Sequence, residues 1–421
     1  MIQEYESDVV VVGGGPAGIS ACLQLYSMPG LKVTLLEAEH EPGGIPRTCG
    51  PGFGLRDQHC FRTGPSYARH LADLLGKTKV QAYTETTAVS VTPGKDGEPH
   101  LVETVSPQGC SKHFCTSLIL ATGCFESSRE SRLIPGDRPA GIITTGTLQQ
   151  QVKARQLKPG SKALIVGTEH VSLSAVLTLK RAGVELAGLV EQAARPLTYP
   201  AAMLAFKTFY RFPVYYQAQI KAIVGKQRVE GVLLDIRGKE RLVPCDTVVM
   251  SGRFRPDTAL AETAGLEMDP ASRGPLVDQD FQTSLPGVYA VGNLLRGADM
   301  HDLCALEGKA AARGLILAMG QDRQPAQAQV RVATRPPVRF SSPQFVDLSK
   351  IDLTGPAMAQ TCSIQLAETL SNPVLKVWSG ANLVWQKKYR LLVGRTRIVL
   401  PLVCFNLSAI DPETGLLVTV G

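Results

Sequence analysis

Three glycines and one acid near the start of the chain have the spacing of a diphosphate cradle. Gly13, Gly15 and Gly18 fall on G-x-G-x-x-G, and Glu37 follows Gly18 by 19 residues. This is the pattern by which a strand, a tight turn and a helix receive a dinucleotide. Gly13 permits the sharp turn, Gly15 lets a pyrophosphate reach the backbone with no Cβ in the way, and Gly18 lets helix and strand pack closely. Pro16 and Ala17 open the helix, whose unpaired N–H groups face the phosphates. Glu37 is placed to accept hydrogen bonds from a ribose diol.

Groups for the reactive end of such a ligand must come from elsewhere in the chain. The stretch HEPGGIPRTCGPGFGLRD after Glu37 is too rich in glycine and proline for a regular element. Gly43 and Gly44 let it pass close to a cofactor, and Arg47, Cys49 and Arg56 are its first polar side chains within reach. A guanidinium grips a carboxylate or phosphate through two hydrogen bonds, so Arg47 and Arg56 are candidates to hold an anionic substrate. Cys49 and His301 are candidates for proton handling. His301 lies where a helix begins at about Leu303, with its N-terminus free to face a negatively charged ring. Cys110, His113 and Cys115 read as part of a β-hairpin, and no metal is assigned to them.

The elements that must position these residues follow from the patterning. A β-branched run precedes Gly13, and a second strand ends at Glu37. The strand Ser117 to Ala121 runs into Thr122 and Gly123, and a later strand, Val288 to Val291, ends at Gly292 and Asn293. Around Ser161 the opening pattern returns: Gly13 to Glu37 spans 24 positions, and so does Gly167 to Glu191. This is an internal repeat of a mononucleotide-binding unit. The second copy is altered where a phosphate would sit, because Glu169 replaces the second glycine and Ser172 the third. A carboxylate there adds bulk and like charge, so this copy is expected to keep the fold while losing or changing its nucleotide site. The aromatic stretch Arg195 to Tyr216 either lines a channel or covers a sheet, the cover being favoured.

With 421 residues, 44% hydrophobic and 19% charged, the chain is long enough for two or three domains with full cores. No apolar run approaches the roughly 20 residues of a membrane helix, and no signal peptide is read before the first strand. Ten scattered cysteines without a C-x-x-C pair suit a reducing compartment, and the expected location is the cytoplasm. The net charge of +7 concentrates at the end of the chain, where residues 331–421 hold ten Lys/Arg against five Asp/Glu. Neither a basic helix nor an aromatic platform for nucleic acid is present. The expected fold is α/β: two Rossmann-like three-layer nucleotide-binding domains, the second inserted in the first, plus a small C-terminal all-β sandwich. The expected boundaries are 1–150 with 270–320 for the first domain, 151–269 for the second, a linker over 321–344, and the β domain over 345–421.

Residues 8 to 318, with the fingerprint, the A-T-G strand, the repeat and PGVYAVGN, resemble the two-dinucleotide-domain FAD oxidoreductases related to the pyridine nucleotide-disulfide reductases. The segments GGIPRTCGPGFG, SRLIPGDRPAGIITTGTLQ and GTEHVSLSA narrow the resemblance. They are similar to flavoprotein subunits of the cyanide synthase, opine oxidase and dye-linked proline dehydrogenase type, and to flavoproteins encoded beside glycerol-3-phosphate dehydrogenases. The resemblance implies an FAD across the first domain. It would place the pyrophosphate on Gly13 to Gly18, the adenosine ribose on Glu37 and the adenine near the backbone of Ala88. Gly43, Gly44, Thr122 and Gly123 would flank the flavin, with Gly292 and Asn293 under its ribityl chain. Three departures stand out. Cys49 is alone where the disulfide reductases carry a redox cysteine pair, Asn293 stands where the family usually has Asp, and the C-terminal part reads as all β rather than mixed α/β.

The function expected from this resemblance is that of the flavoprotein component of an FAD-dependent dehydrogenase. It would pass hydride equivalents or electrons between a small organic substrate or partner flavoprotein and a carrier. A second flavoprotein or a small iron–sulfur protein is the expected partner. The alternatives are an NAD(P)H-dependent flavin reductase using the second domain, with Glu191 favouring NADH, and a non-catalytic component binding flavin and an adenine nucleotide.

Overall fold

The computed structural model describes residues 2–50, 52–95, 97–320, 329–351 and 361–421. Its first sheet is built on the β-branched opening run. Strand Gln3–Val12 pairs in parallel with Val33–Leu36 on one side and with Gly109–Leu120 on the other. Because side chains alternate along a strand, Val9 and Val11 enter one core while Val10 and Val12 enter another. Helices Pro16–Tyr26, Gly64–Leu75 and His301–Met319 cover the first face. Past Gly109–Leu120 the same sheet continues as an antiparallel meander through His100–Ser106 to Thr87–Thr92, and Val102 and Val91 of these strands join the core of the opposite face. Cys110, His113 and Cys115 lie along Gly109–Leu120; His113 is buried and stacks on Tyr5 at 4.9 Å between ring centroids.

The chain then crosses into a second sheet of the same build. Ile142–Thr144, Thr247–Met250, Lys162–Val166, Glu185–Glu191 and Val214–Tyr216 lie side by side, all parallel. A meander of Ala218–Val224, Gly231–Ile236 and Lys239–Pro244 covers one face, and helix His170–Arg181 covers the other. Two short antiparallel strands, Cys124–Glu126 and Phe254–Pro256, carry the chain out and back. The first sheet is completed after the return, when Val288–Ala290 pairs with Leu118, Ile119 and Leu120. The second domain is thus inserted in the first.

The structure corrects several expected boundaries. Residues 142–150, expected in the first domain, contribute an edge strand to the second sheet, because Ile142 aligns with Val248. Leu260, Ala261 and Leu266, expected in the second, pack in the first domain's core. The expected linker over 321–344 holds two strands, Gln329–Thr334 and Val338–Ser342; its residues 321–328 lie outside the described residues. These strands join a C-terminal module in which Gln329–Thr334 pairs in parallel with Leu416–Val420, and Val338–Ser342 pairs with Thr361–Leu366. A proline-rich composition suggests a spacer, but Val330, Val332, Val338 and Phe340 alternate and all are buried. The module's sheets share one core running from Val330 to Val418.

Candidate functional site

The first cradle has the steric form its glycines require. Gly13 has φ +103°, and a Cβ on it would lie 2.4 Å from Ala121 O. A Cβ on Gly18 would lie 1.9 Å from Gly13 O, so the helix cannot approach the turn with any larger residue. Gly15 is different: a Cβ there would meet nothing within 4 Å. Open space at Gly15, at the N-terminus of a buried helix, is the room a pyrophosphate needs. Glu37 is buried; its Oε2 accepts from Gly14 N at 2.6 Å and its Oε1 from Glu39 N at 2.7 Å. Those bonds lock the carboxylate beside the turn and leave each oxygen a second lone pair for a ribose hydroxyl. Glu37 O accepts from Thr86 N, which brings the strand containing Ala88 to the same end of the sheet.

The loop after Glu37 folds back over this cradle. Gly43 N donates to Gly14 O at 2.7 Å, and a Cβ on Gly44 would come within 2.9 Å of Gly15 Cα. Both glycines have positive φ. The A-T-G turn is held by the returning chain: Thr122 Oγ1 donates to Asp257 O at 2.8 Å, and Asp257 N donates to Gly123 O at 3.0 Å. Gly292 (φ +72°) packs on Ala17, and its N–H donates to Glu307 Oε2 at 3.1 Å. Asn293 Oδ1 accepts from Asp299 N at 2.9 Å and from the Cys304 thiol at 3.2 Å. Both lone pairs of that oxygen are therefore engaged within the protein, and the Asn293 side chain also hydrogen-bonds Cys124.

The expected catalytic side chains are not gathered at one point. Arg47 donates to Glu41 O at 2.6 Å and pairs with Glu39 at 3.3 Å, so its guanidinium ties the loop to itself. Cys49 is buried, 3.9 Å from Ser174 Oγ on the second domain's helix. Burial pushes its thiol pKa up, with Ser174 and Lys153 opposing, so it is a thiol rather than a thiolate at neutral pH. Arg56 pairs with Asp302 at 3.2 Å, beside His301 at the start of the last long helix. His301 packs edge-on against Phe53 at 4.6 Å. Burial lowers its pKa to about 4, against an opposing pull from Asp302. A histidine in that state is neutral at pH 7 and can share a hydrogen bond but is a poor store of a proton.

The second cradle keeps the turn and closes the opening. Gly167 N donates to Val190 O at 2.8 Å, as Gly13 N does to Leu36 O at 2.8 Å, and a Cβ on Gly167 would meet Ser251 O at 2.8 Å. Where Gly14 offers a backbone N–H to Glu37, Thr168 offers its hydroxyl to Glu191 at 2.5 Å. Glu169 occupies the position equivalent to Gly15, and its carboxylate lies against Gly252, where a Cβ would be 2.6 Å away. Burial pushes the Glu169 pKa up, opposed by Arg395 and by the Arg253 backbone. The C-terminal module also docks beside this cradle: Arg195 Nη1 donates to Ser371 Oγ at 2.8 Å, and Thr369 Oγ1 to Pro196 O at 3.3 Å.

A buried ion cluster under Gly292 is not legible in the sequence. Arg296 Nε lies 3.3 Å from Asp299 Oδ2, Arg397 Nε lies 2.7 Å from the same oxygen, and both guanidinium groups pair with Glu307 Oε1. Arg397 belongs to the C-terminal module, 90 and 98 residues along the chain from these two acids, and no local spacing announces it. Among the described residues, no cluster of His, Cys, Asp or Glu could hold a metal ion.

The model of the pyridine nucleotide-disulphide oxidoreductase family matches residues 7–331. An opine oxidase subunit of Agrobacterium tumefaciens is 27% identical over 314 residues, which make up 68% of this chain and 61% of the relative. Hydrogen cyanide synthase subunit HcnB of Pseudomonas protegens is 27% identical over 341 residues, 74% of this chain and 70% of the relative. Among solved structures, thioredoxin reductase of T. acidophilum superposes with a TM-score of 0.62 at 22% identity, over 75% of this chain and 99% of that one. L-proline dehydrogenase of P. horikoshii superposes with 0.57 at 22% identity, over 77% and 58%. These likenesses show the two-nucleotide-domain fold, and the open cradle at Gly15 fits the diphosphate of FAD. The chain spans about three fifths of the opine oxidase relative's length and belongs to the pyridine nucleotide-disulphide oxidoreductase family.

Proposed function

We propose that this chain is the flavoprotein component of a multi-subunit dehydrogenase. It would move hydride equivalents or electrons between a small organic substrate or a partner flavoprotein and an electron carrier. The observation that carries this reading is the contrast between the two cradles: Gly15 faces open space, whereas Glu169 fills the equivalent position with a carboxylate. A nicotinamide diphosphate entering the second domain would meet that negative charge at its closest approach. Electrons must then arrive by another route. Two similar proteins are named as subunits, of opine oxidase and of hydrogen cyanide synthase, which supports a partner chain as that route.

In this reading FAD supplies the hydride chemistry when bound, and the protein supplies position and electrostatics. Gly13 to Gly18 and Glu37 hold its adenosine diphosphate half. The loop carrying Gly43 and Gly44 folds over the cradle and keeps water from the turn. The neutral His301, the Arg56–Asp302 pair and Phe53 form the polar and aromatic border at the helix start, with Arg56 partly exposed and able to turn from Asp302 towards an anion. Arg47 and Cys49, both held elsewhere, act on loop position rather than on substrate. All ten cysteines are free, which fits a reducing compartment such as the cytoplasm. Among the described residues, no helix is long and apolar enough to cross a membrane.

The test is anaerobic mixing of the FAD-loaded chain with NADH and with NADPH while flavin absorbance is followed. The expected result is no bleaching on the timescale of turnover. Rapid bleaching by either nucleotide would overturn this reading in favour of an NAD(P)H-dependent reductase.

A further inference from the structure

We propose that Arg397 of the C-terminal β module is a positioning residue for the flavin: through Glu307 and Asp299 it holds the Gly292–Asn293 turn in the shape that receives the cofactor. This rests on the FAD reading above and gives the C-terminal module a part in the cofactor site.

The connection runs through short contacts. Glu307 shares one carboxylate oxygen between Arg296 and Arg397 and uses the other to accept the Gly292 N–H at 3.1 Å. Asp299 takes Arg397 Nε at 2.7 Å on its side chain and donates its own N–H to Asn293 Oδ1 at 2.9 Å. Each acid thus grips one residue of the turn and one side of the Arg397 guanidinium. Arg296 is fixed from behind by Ser342 Oγ at 3.1 Å, also from the C-terminal module. The side chains of Arg296, Asp299, Glu307 and Arg397 are only 3%, 10%, 8% and 12% exposed, so water cannot replace a missing partner.

Charge balance makes Arg397 more than a strut. Two guanidinium groups face two carboxylates, and the cluster is neutral. Without Arg397 a closed site would hold one uncompensated negative charge beneath a turn that must accept a dianionic cofactor, a costly arrangement in low dielectric. Glu307 is the acid that would respond. Burial pushes its pKa up, with Arg296 pulling it down and Asp299 pushing it further. The groups facing it are Arg296, Asp299 and Arg397, the Gly292 N–H, and Cys304 one turn earlier on its own helix, itself faced by Cys124; burial raises both thiols. Lacking Arg397, the site can shed the excess charge only by protonating Glu307, so cofactor affinity becomes dependent on pH.

The experiment measures the Kd of FAD for the full-length apoprotein by flavin fluorescence quenching in wild type, R397M, R397Q, R397K and R397M/E307Q. Near-UV circular dichroism establishes folding, and R397Q stands in should R397M not fold. The expected result is that the neutral variants bind FAD near wild-type strength at about pH 6 and about tenfold more weakly at about pH 8.5. R397K, which keeps the charge though not the two-sided grip, should show no more pH dependence than wild type, and R397M/E307Q should bind without the pH dependence. Wild-type affinity at both pH values in the neutral variants would overturn the proposal, as would an equal loss at both, since lost packing does not titrate. Wild-type FAD content, and its loss in Gly15→Glu, test the underlying FAD reading separately.

Discussion

Single residues decide which of the expected chemical roles survive. Cys49 and His301 suggest themselves because thiol and imidazole are proton carriers, and both are held neutral by burial. For His301 the folded pKa of about 4 lies below the ordinary 6.5, so its contribution to stability is full above pH 6.5 and is lost as pH falls through about 4. Replacing it with Asn should flatten the acid side of the stability profile over that window, by about 3 kcal/mol at most. Urea unfolding as a function of pH checks this. Cys49 should resist iodoacetamide in the folded protein while the exposed Cys60, Cys110 and Cys404 are modified, and peptide mass mapping reads the difference. The glycine set and Glu37 are legible at this scale because a backbone-binding motif is written in local spacing. Arg47 illustrates what is not: residue type suggests an anion clamp, but whether a guanidinium faces a ligand or its own loop depends on neighbours such as Glu39 that spacing does not rank.

At the scale of elements, the repeat is legible because strand, turn, helix and strand recur with equal length, and the two turns close with the same backbone hydrogen bond. The crossing of helix His301–Met319 over helix Pro16–Tyr26 is not. It depends on Gly308, where a Cβ would lie 2.0 Å from Ala17 O, and on Gly292, where one would lie 3.0 Å from Ala17 Cβ. Ala17 is therefore the point where the fingerprint helix, the Gly292 turn and the last helix meet. Gly308→Ala should push the helices apart at a cost at the upper end of about 1–3 kcal/mol and should weaken FAD retention together with stability. Thermal melts and flavin content of the same preparation check it; a variant stable as wild type would show that the crossing tolerates a methyl group. Helix Pro200–Tyr210 shows the limit of patterning. The helix does cover the second sheet, with Met203 buried and Ala202, Phe206 and Tyr210 packed on the same core, but Leu204 and Phe209 on its outer side are 65% and 78% exposed.

Across the whole molecule, the two nucleotide domains and the C-terminal module form a chain of dependence. The module touches the closed cradle through Ser371 and Thr369, and reaches the open one through Arg397 and Ser342. Composition marks this part of the chain as basic, and the structure gives three of those charges a place beside acids of the other domains: Arg397 on Asp299 and Glu307, Lys350 on Asp280, and Arg395 within electrostatic reach of Glu169. No sequence pattern could supply that, since contacts between distant domains leave no period in the chain. Gly15→Glu, which copies the second cradle's side chain into the first, should abolish flavin retention and leave the C-terminal module folded. The most direct measurement is the nucleotide content of the purified wild-type protein, released by denaturation and identified by chromatography and mass. The account predicts a single FAD per chain and no nicotinamide nucleotide; FAD-free protein that cannot be loaded, or protein carrying NAD(P) in the cradle of Glu169, would contradict it.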